Sequence, residues 1–133
     1  MHKSIKPKHW TKLNNWLDEI GVRDSKVPIL GSGGNINKIY KMKRRRVADL
    51  HITTKSLKDF YQEAKSLTNK ERIINYQLNP DRSDVIIPAC EIFLDIIDIT
   101  GSKKIYVPKT GLSDGIVRNL YEVYKGETDS KKN

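Results

Sequence analysis

The residues with the clearest capacity for chemistry are Gly31, Ser32, Gly33, Gly34 and Asn35, which break the apolar segment Val27-Pro28-Ile29-Leu30 before a helical pattern resumes at Ile36. Glycines in such a corner admit positive φ and place no Cβ between peptide N–H groups and an approaching anion. The following helix aims its positive end the same way. The chemistry implied is backbone recognition of a phosphate or nucleotide-like group. The same residue types also make an ordinary tight strand-to-helix turn, so both readings stand at this point. Lys41, Lys43, Arg44, Arg45 and Arg46 follow close behind. They read either as a patch for a polyanion such as polyphosphate or nucleic acid, or as a solvated helix end whose cations sit beside the negative pole of the dipole.

Other chemistry-bearing residues are less well placed. His2, His9, His51 and Cys90 have no metal-ligand spacing, so no metal site is expected in this chain. Ser32 and Ser113 have no partners in a Ser-His-Asp arrangement, and no catalytic residue can be assigned. Glu91, Asp95 and Asp98 fall on one side of a helix at spacings of four and three, which suits a metal face or simply a wet helix side. Cys90 lies in the most apolar stretch and reads as a small buried hydrophobe rather than a nucleophile. Tyr and Trp recur at helical spacing and are expected in the core rather than as a base-stacking platform.

These residues sit in a chain of 133 residues with 37% hydrophobic content and a net charge of +9. That length suits one domain, assigned to 1–125, followed by a polar frayed tail at 126–133. No apolar run is long enough for a membrane helix, and the basic start lacks the apolar centre of a signal peptide, so a cytoplasmic protein without membrane partners is expected. One cysteine excludes an internal disulfide. The charge is uneven: residues 1–46 carry 12 Lys/Arg against 3 Asp/Glu, and residues 47–133 carry 13 of each. The whole excess therefore surrounds the glycine corner.

The elements that must position the corner follow from periodicity. Trp10, Leu13, Leu17 and Ile20 form one stripe over a helix at 8–20, stopped by Gly21. Val27–Leu30 reads as a strand, and Ile36, Ile39 and Tyr40 begin the next helix. Leu57, Phe60, Tyr61, Ala64 and Leu67 repeat at three and four, and Thr68 with Glu71 forms a capping box. Asn79-Pro80-Asp81 reads as a turn, with Asp81, Ser83 or Asp84 capping an apolar helix over 85–99 in which Pro88 falls in the first turn. Ile105–Val107 is a second strand, Gly111–Gly115 a second turn, and Ile116, Val117, Leu120, Tyr121 and Tyr124 line a last helix. The expectation is a helix-rich α/β domain with about two short parallel strands and five to six helices.

Taken in order, Gly31-Ser32-Gly33-Gly34-Asn35-Ile36-Asn37, then Asn79-Pro80-Asp81-Arg82-Ser83-Asp84-Val85-Ile86-Ile87-Pro88-Ala89, then Lys104-Ile105-Tyr106-Val107 and Gly111-Leu112-Ser113-Asp114-Gly115-Ile116 resemble the exopolyphosphatase and guanosine-pentaphosphate phosphohydrolase family. The likeness is to the C-terminal part of its second actin-like (ribonuclease H-like) domain, over about residues 8–125. It implies that the Gly-Gly loop is the nucleotide-side motif, that the Asp-Arg-x-Asp segment opens a long buried helix, and that Mg²⁺ serves the full enzyme.

The sequence departs from the family by lacking its Asp-Leu-Gly-Ser loop, its catalytic Glu and its Asp-x-Gly-Gly-Gly-Ser loop. Asn35 replaces a common Thr, and Ser113-Asp114 replaces a common Arg-Glu, which removes a guanidinium. The resemblance thus implies a module that binds polyphosphate or a nucleotide-like anion, silent alone. A homo-oligomer, or a partner chain supplying the missing domain, is expected to cover the exposed strand edge. A basic nucleic-acid-binding module is the alternative, resting on 41–46; a complete small phosphatase would lack an identifiable base.

Overall fold

Leu57, Phe60 and Ala64 are wholly buried along one stripe of the helix Thr54–Ser66, which starts where the Thr53 hydroxyl accepts the Ser56 N–H at 3.2 Å. That stripe packs on the longest helix, and the interface between them is the centre of the core. The fold is described from a computed structural model, over residues 4–44, 46, 48–108 and 118–126.

Along the chain the elements are α1 (Pro7–Glu19), β1 (Ile29–Leu30), α2 (Gly34–Lys43), β2 (His51–Thr53), α3 (Thr54–Ser66), α4 (Asn69–Tyr76), α5 (Pro80–Thr100) and β3 (Lys104–Tyr106). A sixth helix, α6, covers 118–126. The expected turn at Gly111–Gly115, Ile116 and Val117 of the last helix, Arg45 and the tail beyond Gly126 lie outside the described residues. The helix-rich α/β class expected from the pattern is what the chain adopts, with a small mixed sheet.

The sheet order is β1-β3-β2. β1 and β3 run parallel in the register Ile29↔Ile105, as expected for two strands joined by a helical excursion. β2 pairs antiparallel on the other side of β3, with Ile52 opposite Ile105. This third strand was not foreseen from the sequence. Three residues running straight into a helix carry almost no local strand signal, and β2 exists because β3 offers it a ladder. Ile105 and Ile52 are buried, so the row Ile29–Ile105–Ile52 faces the core.

α5 differs from the expected 85–99 helix at its start. Asn79 is the N-cap and Pro80 takes the first helical position, where its missing N–H costs nothing. Neither Asp81, Ser83 nor Asp84 is the cap. Pro88 consequently lies inside the helix, not in its first turn, and cannot donate to the Asp84 carbonyl. The capping box of α4 is present: Thr68 Oγ1 accepts the Glu71 N–H at 3.2 Å and lies 3.1 Å from Glu71 Oε1. Among the described residues no helix is long and apolar enough to cross a membrane.

Cys90 is buried in α5, and burial pushes its thiol pKa up to about 12. The thiolate is the reactive form. Cys90 is expected to resist a disulfide reagent at pH 8 in the folded protein and to react fully in denaturant; rapid labelling of the folded chain would contradict the packing described.

Candidate anion-binding site

The corner between β1 and α2 divides its residues between packing and exposed donors. The Gly31 N–H donates to the Tyr106 carbonyl at 2.7 Å, so it extends the sheet and is not available to a ligand. A Cβ on Gly31 would stand 2.8 Å from Ile105 Cγ2 and 3.0 Å from Ile36 Cγ1, which explains glycine there by close approach. Gly33 is the N-cap of α2 at φ +106°, a conformation that residues with a side chain rarely adopt. The first-turn N–H groups of Gly34, Asn35 and Ile36 thus begin a helix with no side-chain cap and no acidic residue in its first turn.

Across this helix start lies a residue from far along the chain. The Arg82 guanidinium occupies the space over Gly34 that a Cβ would fill. Together with Asn37, Lys38, Lys41 and Asn79, these two residues line a cleft of about 310 Å³ whose walls contain no carboxylate. Asn79 brings the start of α5 to the same cleft, and that helix also has no side-chain cap bond. Asn37 Oδ1 is buried and without a hydrogen-bond partner, as is Asn35 Oδ1.

The electrostatics favour an anion. The start of α5 has Asp81 in its own first turn, but a guanidinium beside the positive end of α2 is unfavourable by itself, and a negative group between them reverses the sign of that term. Each helix terminus contributes about 0.3–1 kcal/mol, whereas a hydrogen bond to a charged group contributes about 1.5–3 kcal/mol. Arg82 with Lys38 and Lys41 therefore dominates, and the backbone of Gly34 and Asn35 orients.

The expected site residues separate in space. Gly34 reaches the cleft and Gly33 shapes it, Ser32 is exposed at the turn, Gly31 is a packing residue, and Asn35 has a buried amide oxygen. Of the described residues of the 41–46 cluster, Lys41 alone lines this cleft. Lys43 lies 3.3 Å from Glu63, Arg46 lies 3.4 Å from Asp49, and Arg44 sits over the Tyr40 ring at 5.6 Å. Two of these cations are thus already paired. Arg82 and Lys38 were missed by sequence reasoning. Arg82 was visible only within a quoted motif, and nothing local says that positions 34 and 82 meet.

Glu91 and Asp95 are half-buried and Asp98 is exposed; they face Trp10, Lys58 and Tyr61 across a separate open cleft of about 390 Å³. Burial raises the Asp95 pKa, opposed by a 3.3 Å hydrogen bond from Asn14. Among the described residues no group of three or more His, Cys, Asp or Glu is placed to hold a metal ion.

No family model matches the sequence, and no curated protein matches it. Solved structures do. The chain resembles the Aquifex aeolicus Ppx/GppA phosphatase in its type II variant, with TM-score 0.61 and 20% identity over 84% of this chain and 41% of that one. Against a second structural study of the Aquifex aeolicus PPX-GPPA enzyme the TM-score is 0.66 at 21% identity, covering 83% and 39%. A third, a structural characterization of the family through its Aquifex aeolicus member, gives 0.62 at 22% identity over 91% and 42%. The fold is thus that of part of a Ppx/GppA phosphatase, and the chain spans about two-fifths of the length of the structures it matches.

Proposed function

We propose that this chain is an exopolyphosphatase-related module that binds a phosphate chain or nucleotide-like anion at the start of α2 and releases no phosphate by itself. The observation that carries this reading is the Arg82 guanidinium lying over Gly34, beside Lys38 and Lys41, at a helix start with no side-chain cap and no acidic residue in its first turn. The partial Ppx/GppA fold supports the same class of ligand. Phosphoryl transfer depends on positioning and charge stabilisation from several sides of the phosphate. This sequence has no counterpart of the catalytic Glu or of the two phosphate loops expected from the family. Such a cleft needs a second wall besides this one, and the outer edge of β1, which among the described residues pairs with β3 alone, is where further strands would add.

Two measurements test this. Incubation with polyphosphate and Mg²⁺ is expected to release no phosphate, and turnover abolished by a substitution in this chain would overturn the claim of silence. Calorimetric titration with tripolyphosphate is expected to show binding that weakens steeply as salt rises; no binding at low salt would remove the anion reading.

A further inference from the structure

The ladder that buries Ile29, Ile105 and Ile52 turns a second row outward. Leu30 pairs with Tyr106, and Tyr106 with His51, so these three lie side by side across all three strands on the opposite face. Leu30 is 74% exposed, and Tyr106 and His51 are partly exposed. The His51 and Tyr106 rings meet edge to face with centroids 6.2 Å apart, and Lys104 Nζ lies 4.9 Å from the Tyr106 centroid.

A basic cleft flanks each ring. His51 lines one of about 370 Å³ with Lys43, Arg44, Arg46, Asp49 and Lys55; Arg46 pairs with Asp49 and Lys43 with Glu63, which leaves Arg44 and Lys55 outside those ion pairs. Tyr106 lines the other, about 270 Å³, with Lys26, Lys103 and Lys104 and no carboxylate.

We propose that this outer sheet face binds single-stranded nucleic acid, with bases stacked on Tyr106 and His51 and the phosphate backbone held by the cations of the two flanking clefts. The site is separate from the cleft at Gly34 and Arg82, and does not depend on it. Charge alone would suit any polyanion, but a phosphate chain has no π surface for two partly exposed rings. A duplex keeps its bases stacked inside, whereas a single strand offers both base faces and backbone. Cationic side chains beside partly exposed aromatic rings on a sheet are the combination such a strand requires.

The test is fluorescence anisotropy of a labelled 15-nucleotide oligothymidylate, run at two salt concentrations on the whole chain. Tyr106→Ala is expected to weaken binding about tenfold, from the usual loss of one base stack. Tyr106→Phe is expected to restore it, and Arg82→Ala to leave it unchanged while removing tripolyphosphate binding. Should Tyr106→Ala fail to fold by circular dichroism, His51→Ala is expected to give the same loss and decides in its place. Equal binding by the ring variants, equal binding of a duplex of the same length, or loss of the oligonucleotide in Arg82→Ala would each overturn the proposal. So would capture of a protein ligand at Tyr106 without oligonucleotide binding.

Discussion

Arg82→Glu is expected to abolish tripolyphosphate binding while leaving the fold at least as stable as before. In the proposed complex the guanidinium would provide one or more hydrogen bonds to the anion, each of about 1.5–3 kcal/mol, and reversing its sign would add repulsion at the same point. The combined effect is a rise in dissociation constant of about a hundredfold or more. Arg82 is the third residue of α5, two after Pro80, a position where Glu interacts well with the helix start and contributes about 0.3–1 kcal/mol. Calorimetric titration beside a thermal melt separates the two effects. Unchanged affinity with an unchanged melt would show that Arg82 lies over Gly34 without serving a ligand.

Phe60→Ala should give the largest change in stability. Phe60 is wholly buried where α3 meets α5, and its ring tilts against Tyr76 with centroids 5.2 Å apart. Removing a ring from such a site costs about 3–5 kcal/mol, because the cavity cannot close around rigid helix backbones. A domain of this size has about 5–15 kcal/mol in total, so the variant is expected to be partly unfolded at physiological temperature. The readout is the urea midpoint at constant slope; a loss under about 1 kcal/mol would mean that the core does not run through this residue.

The parts of the fold carried by local signals were legible in the sequence. The α3 stripe of Leu57, Phe60 and Ala64, the box of Thr68 and Glu71, and the strand-to-helix corner at Gly31–Asn35 each depend on residues within a few positions of one another. What depended on distant partners was not. β2 is a strand because β3 lies beside it, and α5 begins five residues before its apolar run because Asn79 and Pro80 permit a helix start that hydrophobic periodicity cannot register. The candidate site follows the same division. Its backbone half was evident from the glycines, while its cationic half comes from Arg82, brought in by the path of α4 and α5. The dense basic run at 41–46, prominent as sequence, contributes Lys41 alone among its described residues to that cleft.

The central claim is that the start of α2, with Arg82 across it, receives an anion. Amide chemical-shift mapping during titration of ¹⁵N-labelled protein with tripolyphosphate tests it residue by residue. The account predicts saturable shifts concentrated at Gly34, Asn35 and Ile36 and at the Arg82 Nε–H, suppressed in Arg82→Ala. Binding that shifts Arg44, His51 and Lys55 while those amides stay in place would contradict it.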